Sequence, residues 1–162
     1  MTNQDKTVLV TGGSGFIATH CILKLAAAGY KIKSTVRNLD RVSDLNKILD
    51  EAGSTYERLN KIDVDWVSAD LTKDEGWSEA VKGCDYVMHV ASPVALEEPK
   101  DENDLIVPAR EGTLRVIKAA NEEGVKKIVL TSSVAAIIYG HEKDSFNEED
   151  WTDTDAEGCS AY

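Results

Sequence analysis

One short run near the start constrains this chain more than any other: Thr11-Gly12-Gly13-Ser14-Gly15-Phe16-Ile17-Ala18. It begins where the apolar strand-like stretch Thr7–Thr11 ends. It runs into Phe16–Ala28, where Ile17, Cys21 and Leu25 recur at helical spacing and Gly29 supplies a stop. Gly12 permits a tight turn, Gly15 lets the backbone approach a ligand, and the small Ala18 lets helix pack on strand. A helix that opens here offers unpaired N–H groups and the positive end of its dipole, which suits a pyrophosphate. Gly12, Ser14, Gly15, Phe16 and Ile17 are therefore the candidate phosphate-binding residues.

The same alternation continues down the chain. Strands are expected over Lys31–Arg37, Val64–Ala69, Asp85–Val90 and Lys127–Thr131, with helices over Arg41–Ala52, Glu75–Lys82 and Asn103–Glu123. Glycines 53, 83 and 124 read as the ends of those helices. Short apolar strands joined by helices imply an α/β fold, a doubly wound parallel sheet covered on both faces. The expected strand order is 3-2-1-4-5, with a binding crevice at the carboxyl ends of strands one and four. In the long helix, Ile106, Ala109, Thr113, Val116, Ile117 and Ala120 are expected to face the sheet. Val107 and Leu114 would point away, leaving a face that a second copy of the chain could cover.

Composition narrows the function. A net charge of −11 argues against nucleic acid as a partner. No apolar run approaches the ~20 residues of a membrane helix, and Met1–Lys6 is short and polar. The expectation is a cytoplasmic protein without membrane attachment. Cys21, Cys84 and Cys159 are far apart and form no metal-binding spacing with His20, His89 or His141, so they read as structural thiols. The acidic run from His141 to Gly158 reads as a solvated loop.

Residues at the strand ends refine the ligand. The second strand ends in Thr35-Val36-Arg37-Asn38, with no carboxylate at its tip to bond a ribose 2′-hydroxyl. Arg37 offers forked donors and a permanent charge to a 2′-phosphate, so NADP is expected over NAD. Asp70 and Leu71 close the third strand where an adenine would lie. Asp70 could accept from the exocyclic amine, although a helix-capping role competes and Thr72 competes in turn for the cap. Ala91 and Ser92, in His89-Val90-Ala91-Ser92-Pro93, are small where a ribose must pass. His89 itself reads as a strand histidine.

These segments, with PAREGTLRVIKAA and VLTSSVAAIIYG, together resemble the extended short-chain dehydrogenase/reductases. Within them they are most similar to the dihydroflavonol-reductase and cinnamoyl-CoA-reductase branch. The resemblance covers essentially all 162 residues but only the N-terminal half or so of such an enzyme, here a dinucleotide-binding domain over residues 1–162. Ala18 stands where glycine is more usual. The resemblance implies an NADP-dependent reductase of a small-molecule ketone or aldehyde. It also implies a Ser–Tyr–Lys set in which Ser133, with Ser132 as the fallback, bonds the carbonyl oxygen and Tyr162 donates the proton. A phenol needs a nearby cation to act at neutral pH, and the Lys expected four residues on lies past the end of this sequence, as do the expected next strand and substrate domain. Little turnover is therefore expected from these 162 residues alone. A nucleotide-sugar epimerase or dehydratase shares the glycine turn, the Ser and the Tyr; Arg37 and His89–Pro93 argue against it. A non-catalytic NADP-binding module is the remaining reading.

Overall fold

The structure, a computed structural model, describes residues 3–93 and 101–159. Five strands form one parallel sheet: β1 (Thr7–Val10), β2 (Lys31–Val36), β3 (Val64–Ser68), β4 (Tyr86–His89) and β5 (Lys127–Leu130). Their order is β3-β2-β1-β4-β5, as the alternation implied. The register sets Val10, the last residue of β1, beside Ser34 and Met88, so that β2 runs two residues and β4 one residue past the end of β1. Each strand ends a residue or so earlier than its apolar run, because the next residue already turns toward the crevice.

Successive side chains of a strand point to opposite faces, so one short strand feeds two cores. Val10 packs with Ala18, Ile22 and Leu23 of α1 (Phe16–Ala27) and Leu49 of α2 (Val42–Ala52). Leu9 and Val87 pack on the other face with Trp77, Ala80 and Val81 of α3 (Trp77–Val81) and Val116, Ala119 and Ala120 of α4 (Asn103–Glu122). Fully burying one such Leu or Val is worth about 1.5–3 kcal/mol, so the two faces, rather than helix propensity, hold the layers together.

Three expectations need correction. Gly53 does not stop its helix in a left-handed cap: its φ is −61°, and the chain continues through one π-type turn, Gly53–Glu57. The glycine is needed for space, since a Cβ there would lie 2.7 Å from Ile62 Cδ1. The left-handed residue is Arg58, with φ 57°. In α4 the buried face is Gly112, Val116, Ala119 and Ala120, whereas Ile106 and Ile117 are exposed together with Val107 and Leu114. The acidic segment is more than a solvated loop. Its Thr152 N–H donates to Ala136 O of α5 (Ala135–Ile138), the Asp153 N–H donates to Tyr139 O, and the Thr152 hydroxyl donates to Ala135 O. Its acids still face water, except Asp150, which accepts from the Lys143 ammonium and the Asn147 N–H, while the backbone between them folds back.

Among the described residues, no helix is long and apolar enough to cross a membrane. No cluster of His, Cys, Asp and Glu among them could hold a metal ion.

Candidate functional site

The carboxyl ends of the strands open into a cleft of about 960 Å³, lined among others by Gly12, Arg37, Asp70, Ala91 and Ser133. It lies where the connections from β1 and β4 leave in opposite directions, the place a doubly wound sheet offers a ligand.

The glycine turn is held from below. Gly12 N–H donates to Thr35 Oγ1 at 3.0 Å and Gly13 N–H to Thr35 O at 2.8 Å, so β2 fixes the turn that β1 begins. Gly12 has φ +72°, a conformation costly for other residues, and a Cβ there would lie 3.0 Å from that of Ala91. Gly15 caps α1 in an extended conformation with no side-chain hydrogen bond to the first turn. The first-turn N–H groups are therefore open to an anion. Phe16 and Ile17 stand beside them, 80% and 55% exposed, and Ala18 is buried against the sheet.

Arg37 follows the last residue of β2 and is exposed, and no hydrogen bond or ion pair ties its guanidinium among the described residues. Asp70 answers the competition raised by its sequence: its Oδ1 accepts both the Thr72 N–H and the Thr72 hydroxyl, each at 2.9 Å. It closes the turn after β3. The Thr72 N–H foremost, aided by the Thr72 hydroxyl and the Arg37 and Lys73 charges, holds the Asp70 carboxyl below its ordinary value against partial burial. It remains an anion with an oxygen to spare. Leu71 is buried beneath it, with Trp77 donating its indole N–H to Asp70 O and Lys73 O.

Ser132 and Ser133 follow β5 on the same cleft. Ser133 Oγ accepts the Ala135 N–H at 3.2 Å, which orients the side chain and leaves its own hydrogen free to donate. Tyr162 lies outside the described residues. The cleft thus gathers every other candidate residue: Gly12, Ser14, Gly15, Phe16, Ile17, Arg37, Asp70, Leu71, Ala91, Ser92 and Ser133.

Two threonines escaped the sequence reading, and His89, read as a strand histidine, does lie in β4 but with a partner the sequence did not announce. Thr11 and Thr35 look like ordinary β-branched strand residues, yet both hydroxyls are buried and organise loops. Thr11 Oγ1 accepts the N–H groups of Val90 and Ala91, each at 3.0 Å, and lies 2.8 Å from His89 Nδ1. His89 is 1% exposed, and burial pushes its imidazole down to about 4, so it is neutral at physiological pH. The available signal was the strand-end position of all three polar residues. α4 also contributes Leu105, Ile106 and Ala109 to the cleft, which no local motif announces.

The sheet order, the glycine turn and a cleft at the switch point define a doubly wound dinucleotide-binding fold. Residues 9–160 match the 3-beta hydroxysteroid dehydrogenase/isomerase family, and the chain belongs to it. A dihydroflavonol 4-reductase of Zea mays is 38% identical over 155 residues, 94% of this chain and 42% of that protein. The crystal structure of vestitone reductase from alfalfa (Medicago sativa) superposes with a TM-score of 0.68 at 30% identity, covering 92% of this chain and 43% of the other. A structure of Gre2 from Candida albicans in complex with NADPH gives 0.75 at 26% identity, covering 91% and 44%. The motif resemblance to the dihydroflavonol-reductase branch is borne out by these relatives. The chain spans less than half their length.

Proposed function

We propose that this chain is the dinucleotide-binding part of an NADP-dependent reductase acting on a small-molecule ketone or aldehyde. The observation that carries the cofactor choice is Arg37, exposed at the tip of β2 on the cleft, its guanidinium in no hydrogen bond or ion pair among the described residues and with no carboxylate in the strand tip itself. A 2′-phosphate would meet a free guanidinium there, whereas a bare 2′-hydroxyl brings no charge for it to pair with. The open first turn of α1 suits the pyrophosphate, and the spare oxygen of Asp70 suits the adenine amine. The NADPH bound in the Gre2 relative and the reductase activities named for the other relatives support the same reading.

NADPH supplies hydride when bound. In this reading, Ser133 holds the carbonyl oxygen through the hydroxyl hydrogen that its bond from Ala135 leaves free, and Tyr162 gives the proton. The exposed arc of Val107, Leu114 and Ile117 on α4 goes with self-association.

Titrating NADPH and NADH into the chain tests the cofactor reading. A charge-assisted contact at Arg37 should favour NADPH by about 10- to 150-fold. The Arg37→Ala variant should lose that preference and keep its NADH affinity. Equal affinities in the parent chain, or no change in the variant, would overturn it.

A further inference from the structure

Thr11 and His89 form a pair whose proton positions follow from counting. A hydroxyl oxygen has two lone pairs and one hydrogen. The Val90 and Ala91 N–H groups, both 3.0 Å from Thr11 Oγ1, take the two lone pairs. Thr11 therefore has only its hydrogen left for His89 Nδ1, 2.8 Å away. Nδ1 must accept that hydrogen, so it carries none, and in the neutral ring the proton sits on Nε2. That nitrogen is buried and has no hydrogen-bond partner among the described residues. An unpartnered buried N–H is unfavourable, and a Val or Leu would fill the space without it. The histidine's return is the acceptor at Nδ1.

The pair sits at a decisive place. Thr11 follows the last residue of β1, just before the glycine turn, and Val90 and Ala91 begin the segment that leaves β4 along the cleft. Ala91 packs so closely on the turn that a Cβ on Gly12 would lie 3.0 Å from its own. We propose that His89 and Thr11 are a positioning pair. The Nδ1 acceptor of His89 fixes the direction of the Thr11 hydroxyl, whose oxygen then holds the Val90–Ala91 backbone at the spacing the bound dinucleotide requires. The role in cofactor binding rests on the function proposed above; the proton arrangement does not. Neither residue touches the reacting atoms.

Three measurements on the 162-residue chain test the pair. Nitrogen-15 NMR of the imidazole at neutral pH should show His89 with Nε2 protonated and Nδ1 bare; the opposite tautomer overturns the proposal, whatever the chain binds. Thr11→Val removes the hydroxyl at nearly constant shape and should speed amide exchange at Val90 and Ala91 selectively. The same variant should weaken NADPH binding about tenfold, the loss expected for a hydrogen bond or two, with Thr11→Ser restoring it. His89→Asn places an oxygen near the position of Nδ1 and should stay within about threefold of the parent, whereas His89→Leu should follow Thr11→Val. Should Thr11→Val not fold, the tautomer and the contrast between the two His89 variants still decide. NADPH binding by Thr11→Val and His89→Leu as tight as that of the parent chain, where the parent binds NADPH, overturns the positioning role. A parent chain that does not bind NADPH contradicts the proposed function, and the tautomer and amide exchange then judge the pair alone.

Discussion

The indole of Trp66 occupies the space that a side chain on Gly13 would need: a Cβ built on Gly13 falls 2.5 Å from Trp66 Cζ3 and 2.2 Å from Ser34 Oγ. The steric demand on the phosphate turn thus comes from Ser34 of the neighbouring β2 and also from β3, a strand that does not touch β1. Gly13→Ala should cost about 1–3 kcal/mol of stability, the usual range for overpacking, and should weaken nucleotide binding. Adding Trp66→Leu should recover part of the loss, visible as coupling in a urea-denaturation double-mutant cycle. Simple additivity would show that the turn moves away from the indole freely.

Acid should destabilise the fold in two separable windows. Asp85 accepts from the Lys126 ammonium, the Thr7 N–H and the Lys6 ammonium, and these hold its carboxyl well below the usual carboxylate range. A depressed carboxyl contributes stability that is present above its unfolded value, about 3.9, and is lost as pH falls below it. His89 titrates near 4 in the fold against 6.5 when free, so the unfolded chain takes up the proton first and stability falls between those values. Melting temperatures against pH should show both declines. Asp85→Asn should flatten only the lower one, and His89→Leu only the upper.

Lys33 is buried on β2, yet it donates to Glu79 O at 2.8 Å and Lys82 O at 3.1 Å, at the C-terminal end of α3. It satisfies carbonyls that so short a helix cannot pair within itself and places a cation at the negative end of its dipole. Lys33→Met keeps the length and loses both bonds. It should cost about 1–3 kcal/mol, with hydrogen exchange rising first in α3. An unchanged melt would mean that α3 finds another cap.

Val107, Leu114 and Ile117 are 38%, 50% and 38% exposed on α4. Sedimentation at micromolar concentration should show association of the chain with itself, weakened by Leu114→Lys. A monomer at all concentrations would show that this arc is tolerated in water.

Nearly all of the architecture was legible in the sequence, because period-2 and period-3.6 apolar patterns and glycine stops are local. The strand order followed from right-handed crossovers applied to that pattern. The candidate residues were legible where chemistry is carried by backbone shape or by a strand tip, as at Gly12, Gly15 and Arg37. What misread was packing. Gly53 looked like a helix cap but makes room for Ile62, and the sheet-facing stripe of α4, right at Val116 and Ala120, wrongly took in the apolar Ile106 and Ile117 and missed Gly112 and Ala119.

The sequence by itself determined that a strand, a glycine turn and a helix would present an anion site at the carboxyl end of a parallel sheet. Only the tertiary structure decided which side chains hold that site in shape. Thr35 pins the turn from β2, Trp66 limits it from β3, and Thr11 joins β1 to the segment after β4 through a hydroxyl shared with His89. Those partners lie 23 to 80 residues apart along the chain wherever a hydrogen bond joins them. No local pattern encodes such pairings, because they exist only once the strands stand side by side.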